Sequence, residues 1–158
     1  MLYVKRVLCF IGIVAITIGF IFLAYYLEIV ALSNRVLPPP NITIEQWLDK
    51  FKRWATVGIS VSGLTSLLWY VLGQWGFDVI EYRKAGKRHI WILLFLLPVV
   101  VAIIAACFTR HAQSGAWLAY VFYGLNGLLC YYLATALCSP LAFKYTPSLA
   151  SKVWRRWW

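Results

Sequence analysis

Four stretches of the chain, 7–27, 54–77, 90–109 and 115–143, carry no Lys, Arg, Asp, Glu or His, and every charged residue falls outside them. An α-helix rises about 1.5 Å per residue, so roughly 20 apolar residues cross a hydrocarbon core about 30 Å thick, and each stretch reaches or passes that length. The pattern predicts an all-α, polytopic membrane protein, a four-transmembrane-helix bundle in which residues 1–158 form a single membrane domain. The longest piece left between spans, 28–53, is too short to bury a soluble core of its own.

That connection has a pattern of its own. Pro38-Pro39-Pro40 stops any helix, because proline lacks the amide donor and restricts the residue before it. Thr43 stands three residues before Gln46, the capping-box spacing that satisfies free amides at a helix start. Ile44, Trp47, Leu48, Phe51, Trp54 and Ala55 then recur on one face, with charged residues elsewhere. This predicts an amphipathic outer helix over 43–53, lying on the membrane surface or capping the bundle before the chain turns into span two. Trp47, Phe51 and Trp54 are its expected membrane-surface anchors. A second interfacial element is expected at the opposite surface. In the tail, 144–158, Lys152, Trp154, Arg155, Arg156, Trp157 and Trp158 combine headgroup-seeking indoles with cations that attract anionic lipid.

Inside the spans the informative positions are small or polar. Span one carries Gly12, Ala15 and Gly19, and span two carries Gly58, Ser62 and Ser66, with Ser60, Gly63 and Thr65 close by. Span four carries Gly124, Asn126 and Gly127. Lipid tails are as apolar as leucine, so helices associate in membranes through close backbone approach at small residues and through interhelical hydrogen bonds. These positions are therefore the helix-packing candidates, within the molecule or with a partner. Asn126, an amide at mid-bilayer, is expected to bond to a hydroxyl or carbonyl on another helix. Span three is apolar all round apart from a kink-forming Pro98, which marks it as the lipid-facing wall.

Composition agrees: 63% of residues are hydrophobic and 13% charged, against about half and about a quarter in soluble domains. The net charge of +10 sits beside span ends rather than in a stripe, which points to anionic lipid and excludes a nucleic-acid surface. Placing both termini in the cytoplasm leaves ten Lys and Arg inside and five outside, the arrangement the positive-inside rule favours. The first apolar run follows Lys5-Arg6 but is too long for a cleaved signal, so it reads as an uncleaved anchor.

Chemistry-bearing constellations do not emerge. Cys9, Cys107, Cys130 and Cys138 form no CxxC and look like small hydrophobes. Glu28, Glu45, Asp49, Asp78 and Glu81 lie at or beyond span ends, so no span carries the buried carboxylate a proton-coupled exporter needs. His89 and His111 flank opposite ends of span three, which excludes a closely spaced metal motif. No catalytic residue, metal or cofactor is expected. The expected partners are membrane lipids, including anionic headgroups, and other membrane proteins in a homo- or hetero-oligomer. In outline the layout is shared by accessory subunits of secretion and conjugation machines and by immunity proteins against pore-forming bacteriocins. The leading expectation is a non-catalytic protein of a bacterial inner membrane, a subunit of a larger envelope assembly such as a secretion or conjugative-transfer apparatus. The alternatives are an immunity or exclusion factor and a homo-oligomeric channel with a polar path along span two and Asn126.

Overall fold

The computed structural model describes residues 2–28, 43–75, 87–109 and 116–138. All of them except Thr43 are helical. Helix α1, Leu2–Leu23, continues into a π-helical turn, Ala24–Glu28; α2 is Ile44–Trp75, α3 is Lys87–Thr109 and α4 is Ala116–Cys138. Each contains a stretch long and apolar enough to cross a membrane, at Val7–Tyr26, Ile44–Leu72, Ile90–Thr109 and Ala119–Cys138. The protein is a multi-pass, four-helix membrane bundle.

Helix α2 begins where the capping-box spacing places it. Gln46 N donates to Thr43 Oγ1 at 3.3 Å, Thr43 N donates to Gln46 Oε1 at 3.4 Å, and Trp47 N reaches the Thr43 carbonyl at 3.0 Å. Its 32 residues then run without a break, about 48 Å at the usual rise. The outer helix expected over 43–53 is therefore not a separate element turning into span two: it is the first three turns of α2. Packing explains the difference. Phe51 lies 4.8 Å, centroid to centroid, from both Phe122 and Tyr123 on α4, and Trp47 lies 5.1 Å from Phe51. A bend toward the membrane plane would pull these rings apart.

Helices α2, α3 and α4 each pack against the other two, whereas α1 packs on α2 and α4 and has no comparable contact with α3. The fold is thus a three-helix core with a fourth helix laid along one seam. Small residues draw the core together: Ala102, Ala105 and Ala106 give α3 a flat buried face. The cores are zoned by depth. Trp47, Phe51, Phe122 and Tyr123 crowd the end where α2 begins, and Trp69, Trp91, Leu94 and Tyr131 crowd the other. Cys9, Ile13, Tyr70, Ala134 and Cys138 join α1 to α2 and α4.

This arrangement revises which span is the wall. α3 does turn Leu93, Leu97, Val100 and Ile104 outward, but Pro98 and the alanines face inward. Only 17% of the α1 span is enclosed, against 33% of the α3 span, so α1 is the most lipid-facing helix.

Candidate functional site

The residues expected to carry helix contacts occupy distinct places in the bundle. Ser62 and Ser66 are fully buried, and each hydroxyl donates to the carbonyl one turn back on its own helix, Ser62 to Gly58 at 2.9 Å and Ser66 to Ser62 at 2.8 Å. Thr65, Thr109 and Thr135 bond back in the same way, to Val61, Ala105 and Tyr131. A hydroxyl satisfied within its own helix can sit in a lipid-dry core without a partner across the interface. Asn126 is also buried, and its Nδ2 donates to the Phe122 carbonyl at 3.0 Å. That bond lies within α4, to the carbonyl one turn back.

The glycines divide sharply. A methyl group placed on Gly127 would lie 3.3 Å from Ser62 Oγ and 3.9 Å from the Pro98 carbonyl, so Gly127 lets α2, α3 and α4 come close together. One on Gly12 would lie 3.0 Å from Cys138 Sγ, which sets the approach of α1 to α4. At Gly19, Gly58 and Gly124 it would meet nothing within 4 Å. Ala15 and Gly19 both face outward, so the small-residue face of α1 above Gly12 is not used inside the bundle.

Gly63 stands outside the expected packing set, yet it makes the closest approach. A methyl group there would lie 2.6 Å from Thr17 Cγ2 and 3.1 Å from Thr17 Cβ. Thr17 is fixed in place by its own bond to the Ile13 carbonyl at 2.8 Å. The α1–α2 contact therefore depends on Gly63 having no side chain.

The expected surface anchors are placed differently from one another. Trp47 and Phe51 are buried, which corrects their reading as membrane-surface residues; Trp47 Nε1 donates to the Thr109 carbonyl at 3.4 Å, and the Phe51 carbonyl accepts from Tyr123 Oη at 3.3 Å. The Trp47 ring is held by a polar group, and the Phe51 ring by the aromatic rings of α4, at the end of the core. Trp54 is half-buried and stacks on Phe108 at 5.1 Å. Lys152, Trp154, Arg155, Arg156, Trp157 and Trp158 lie outside the described residues.

Among the described side chains, every acidic or basic group lies in the first three turns of α2: Glu45, Asp49, Lys50, Lys52 and Arg53. Asp49 pairs with Arg53 at 2.6 Å on the exposed surface. Lys52 instead lies over the Tyr25 ring, 5.7 Å from its centroid, and Tyr25 Oη shares a hydrogen bond of 2.9 Å with Thr56 Oγ1. Tyr25 belongs to the π-helical turn, whose wider winding carries this ring toward α2 while Tyr26 remains outside, stacked on Phe22. Among the described residues, no three His, Cys, Asp or Glu side chains gather as a metal site would require. The arrangement offers surfaces for association: the outward face of α1 and the α1–α2 seam below Lys52. Compared with known protein families, with curated proteins and with solved structures, the chain matches none.

Proposed function

We propose that the protein is a non-catalytic subunit of a larger envelope assembly, of the secretion or conjugative-transfer kind, acting through helix–helix contacts within a bacterial inner membrane. The observation that carries this reading is the outward face of α1. The least enclosed span of the bundle leaves Ala15 and Gly19 uncovered one turn apart, at the spacing that lets a neighbouring backbone come close. The self-satisfied hydroxyls of Ser62, Thr65, Ser66 and Thr135 favour packing over a polar conduction path. The distribution of Lys and Arg supports cytoplasmic termini.

Native mass analysis of the protein after gentle extraction tests the reading. A stoichiometric membrane partner is expected, and Ala15→Leu or Gly19→Leu should weaken its retention while leaving the bundle folded. A lone monomer in several mild detergents would count against it. Orientation is checked with Ser33→Cys and Ser151→Cys, each in a cysteine-free background: an impermeant thiol reagent added from outside should label the first and spare the second.

A further inference from the structure

The residues flanking the α1–α2 seam fall into one continuous line. Along α2, Lys52, Thr56, Ser60, Leu64 and Leu67 follow one another at intervals of three or four residues, and Tyr25, Ile21, Ile18 and Val14 face them from α1, which runs the other way. Below the Tyr25–Thr56 bond an open groove of about 320 Å³ runs over the α1–α2 contact, walled by Val14, Ile18, Ile21, Ser60, Leu64 and Leu67. The tight Thr17–Gly63 contact lies along the same groove. Its rims face outward, since Ile18 and Leu64 are among the most exposed side chains of their helices.

Depth limits what can occupy such a groove. Ser60 and Leu67 lie eight and fifteen residues along α2 from Lys52, or about 12 and 22 Å. One leaflet contributes about 15 Å of hydrocarbon, so the groove opens where the lower end of an acyl chain runs and continues across the middle of the bilayer. Its walls are almost wholly apolar, with the Ser60 and Thr17 hydroxyls the polar groups among them. At its upper end stands a cation without a carboxylate partner among the described residues, because Asp49 is engaged by Arg53. Lys52 is half-buried, so its stem lies along the bundle and its ammonium stands over the Tyr25 ring at the mouth of the seam. The hydroxyls of Tyr25 and Thr56 lie one turn below.

We propose that the α1–α2 seam is a phospholipid site, with an anionic headgroup held at Lys52 beside Tyr25 and Thr56 and the end of one acyl chain entering the groove between Ile21 and Ser60. Charge complementarity selects the headgroup, and depth and apolar lining select the chain. A π-helical turn, a feature that recurs at functional sites, brings Tyr25 to the join between the two parts.

The test uses the full-length protein in vesicles of equal phosphatidylglycerol and phosphatidylcholine, with one lipid at a time carrying a photoreactive group on its acyl chain. With the phosphatidylglycerol probe, adducts should concentrate on 14–21 and 60–67 over the outward face of α3. Lys52→Gln should lower that labelling about five-fold. Lys50→Gln, on another face of α2, should leave it unchanged. Ser60→Phe and Ile18→Trp fill the groove from opposite helices and should each abolish it; circular dichroism identifies a variant that has not folded, and the other then supplies the reading. Labelling spread evenly over all spans, equal labelling by the phosphatidylcholine probe, or adduct-free cross-links between two copies through the seam would each overturn the proposal.

Discussion

Replacing Gly63 with alanine should pry α1 from the bundle, by an amount that follows from two distances. The new methyl carbon would lie 2.6 Å from Thr17 Cγ2 and 3.1 Å from Thr17 Cβ, where carbon atoms prefer about 3.5–4.0 Å. Rotating Thr17 gives no escape. Its Oγ1 is committed to the Ile13 carbonyl, and its Cβ remains too close in any rotamer. The backbones must therefore separate, and overpacking of this kind costs about 1–3 kcal/mol. Against that stands the helix preference of alanine over glycine, up to about 1 kcal/mol. The net expectation is a loss of about 1–2 kcal/mol, read by equilibrium unfolding in mixed micelles titrated with a denaturing detergent. Gly19→Ala, Gly58→Ala and Gly124→Ala meet no atom within 4 Å and should be neutral or slightly stabilising. In a Thr17→Ala background most of the Gly63→Ala penalty should vanish, giving a coupling of about 1 kcal/mol or more. The reasoning is refuted if Gly63→Ala is as stable as the parent, or if its penalty is the same whether or not Thr17 has been truncated.

Three further perturbations test the interior. Phe51→Ala removes a ring packed on Phe122 and Tyr123 and should cost about 3 kcal/mol or more in the same unfolding titration, whereas Trp54→Ala, half-buried, should cost clearly less; equal small losses would return Phe51 to the membrane surface. Ser66→Ala should change stability by no more than about 0.6 kcal/mol, because its hydroxyl bonds to the Ser62 carbonyl of its own helix, and a larger loss would reveal a bond across the interface. Of the four free cysteines, Cys107 alone is exposed, so a small maleimide in mild detergent should modify it first and leave Cys9, Cys130 and Cys138 until unfolding; peptide mapping after timed labelling reads the order.

Span number and the start of α2 were legible in the sequence because both are local: apolar length decides the one, and the Thr43–Gln46 spacing decides the other. The fate of Trp47 and Phe51 was not. An apolar stripe at i and i+4 fits a helix lying on lipid and a helix packed on another helix equally well, and only the presence of Phe122 and Tyr123 at the same depth chooses between them. Gly63 could not be singled out over Gly58 for a related reason. Five residues apart at about 100° each, the two lie about 140° apart around α2, so a single packing direction cannot use both. Which one it uses depends on how α2 is rotated against α1, a property of the assembled bundle. Average apolarity misled at α3 too, since alanine and proline count as ordinary apolar residues in a span yet make the flattest surface for a neighbour.

The seating of α1 on α2 and α4 has a consequence for the order of assembly. Of the four helices described, α1 is made before the others yet finds half of its permanent company only in α4. Its Cys9 and Ile13 are enclosed together with Tyr70 of α2 and with Ala134 and Cys138, at the far end of α4. Until those final turns leave the ribosome, α1 has only one of its two neighbours, and chains stopped before α4 should present quality-control proteases with a loosely held first helix. The four helices close like a clasp, α1 meeting α4 last.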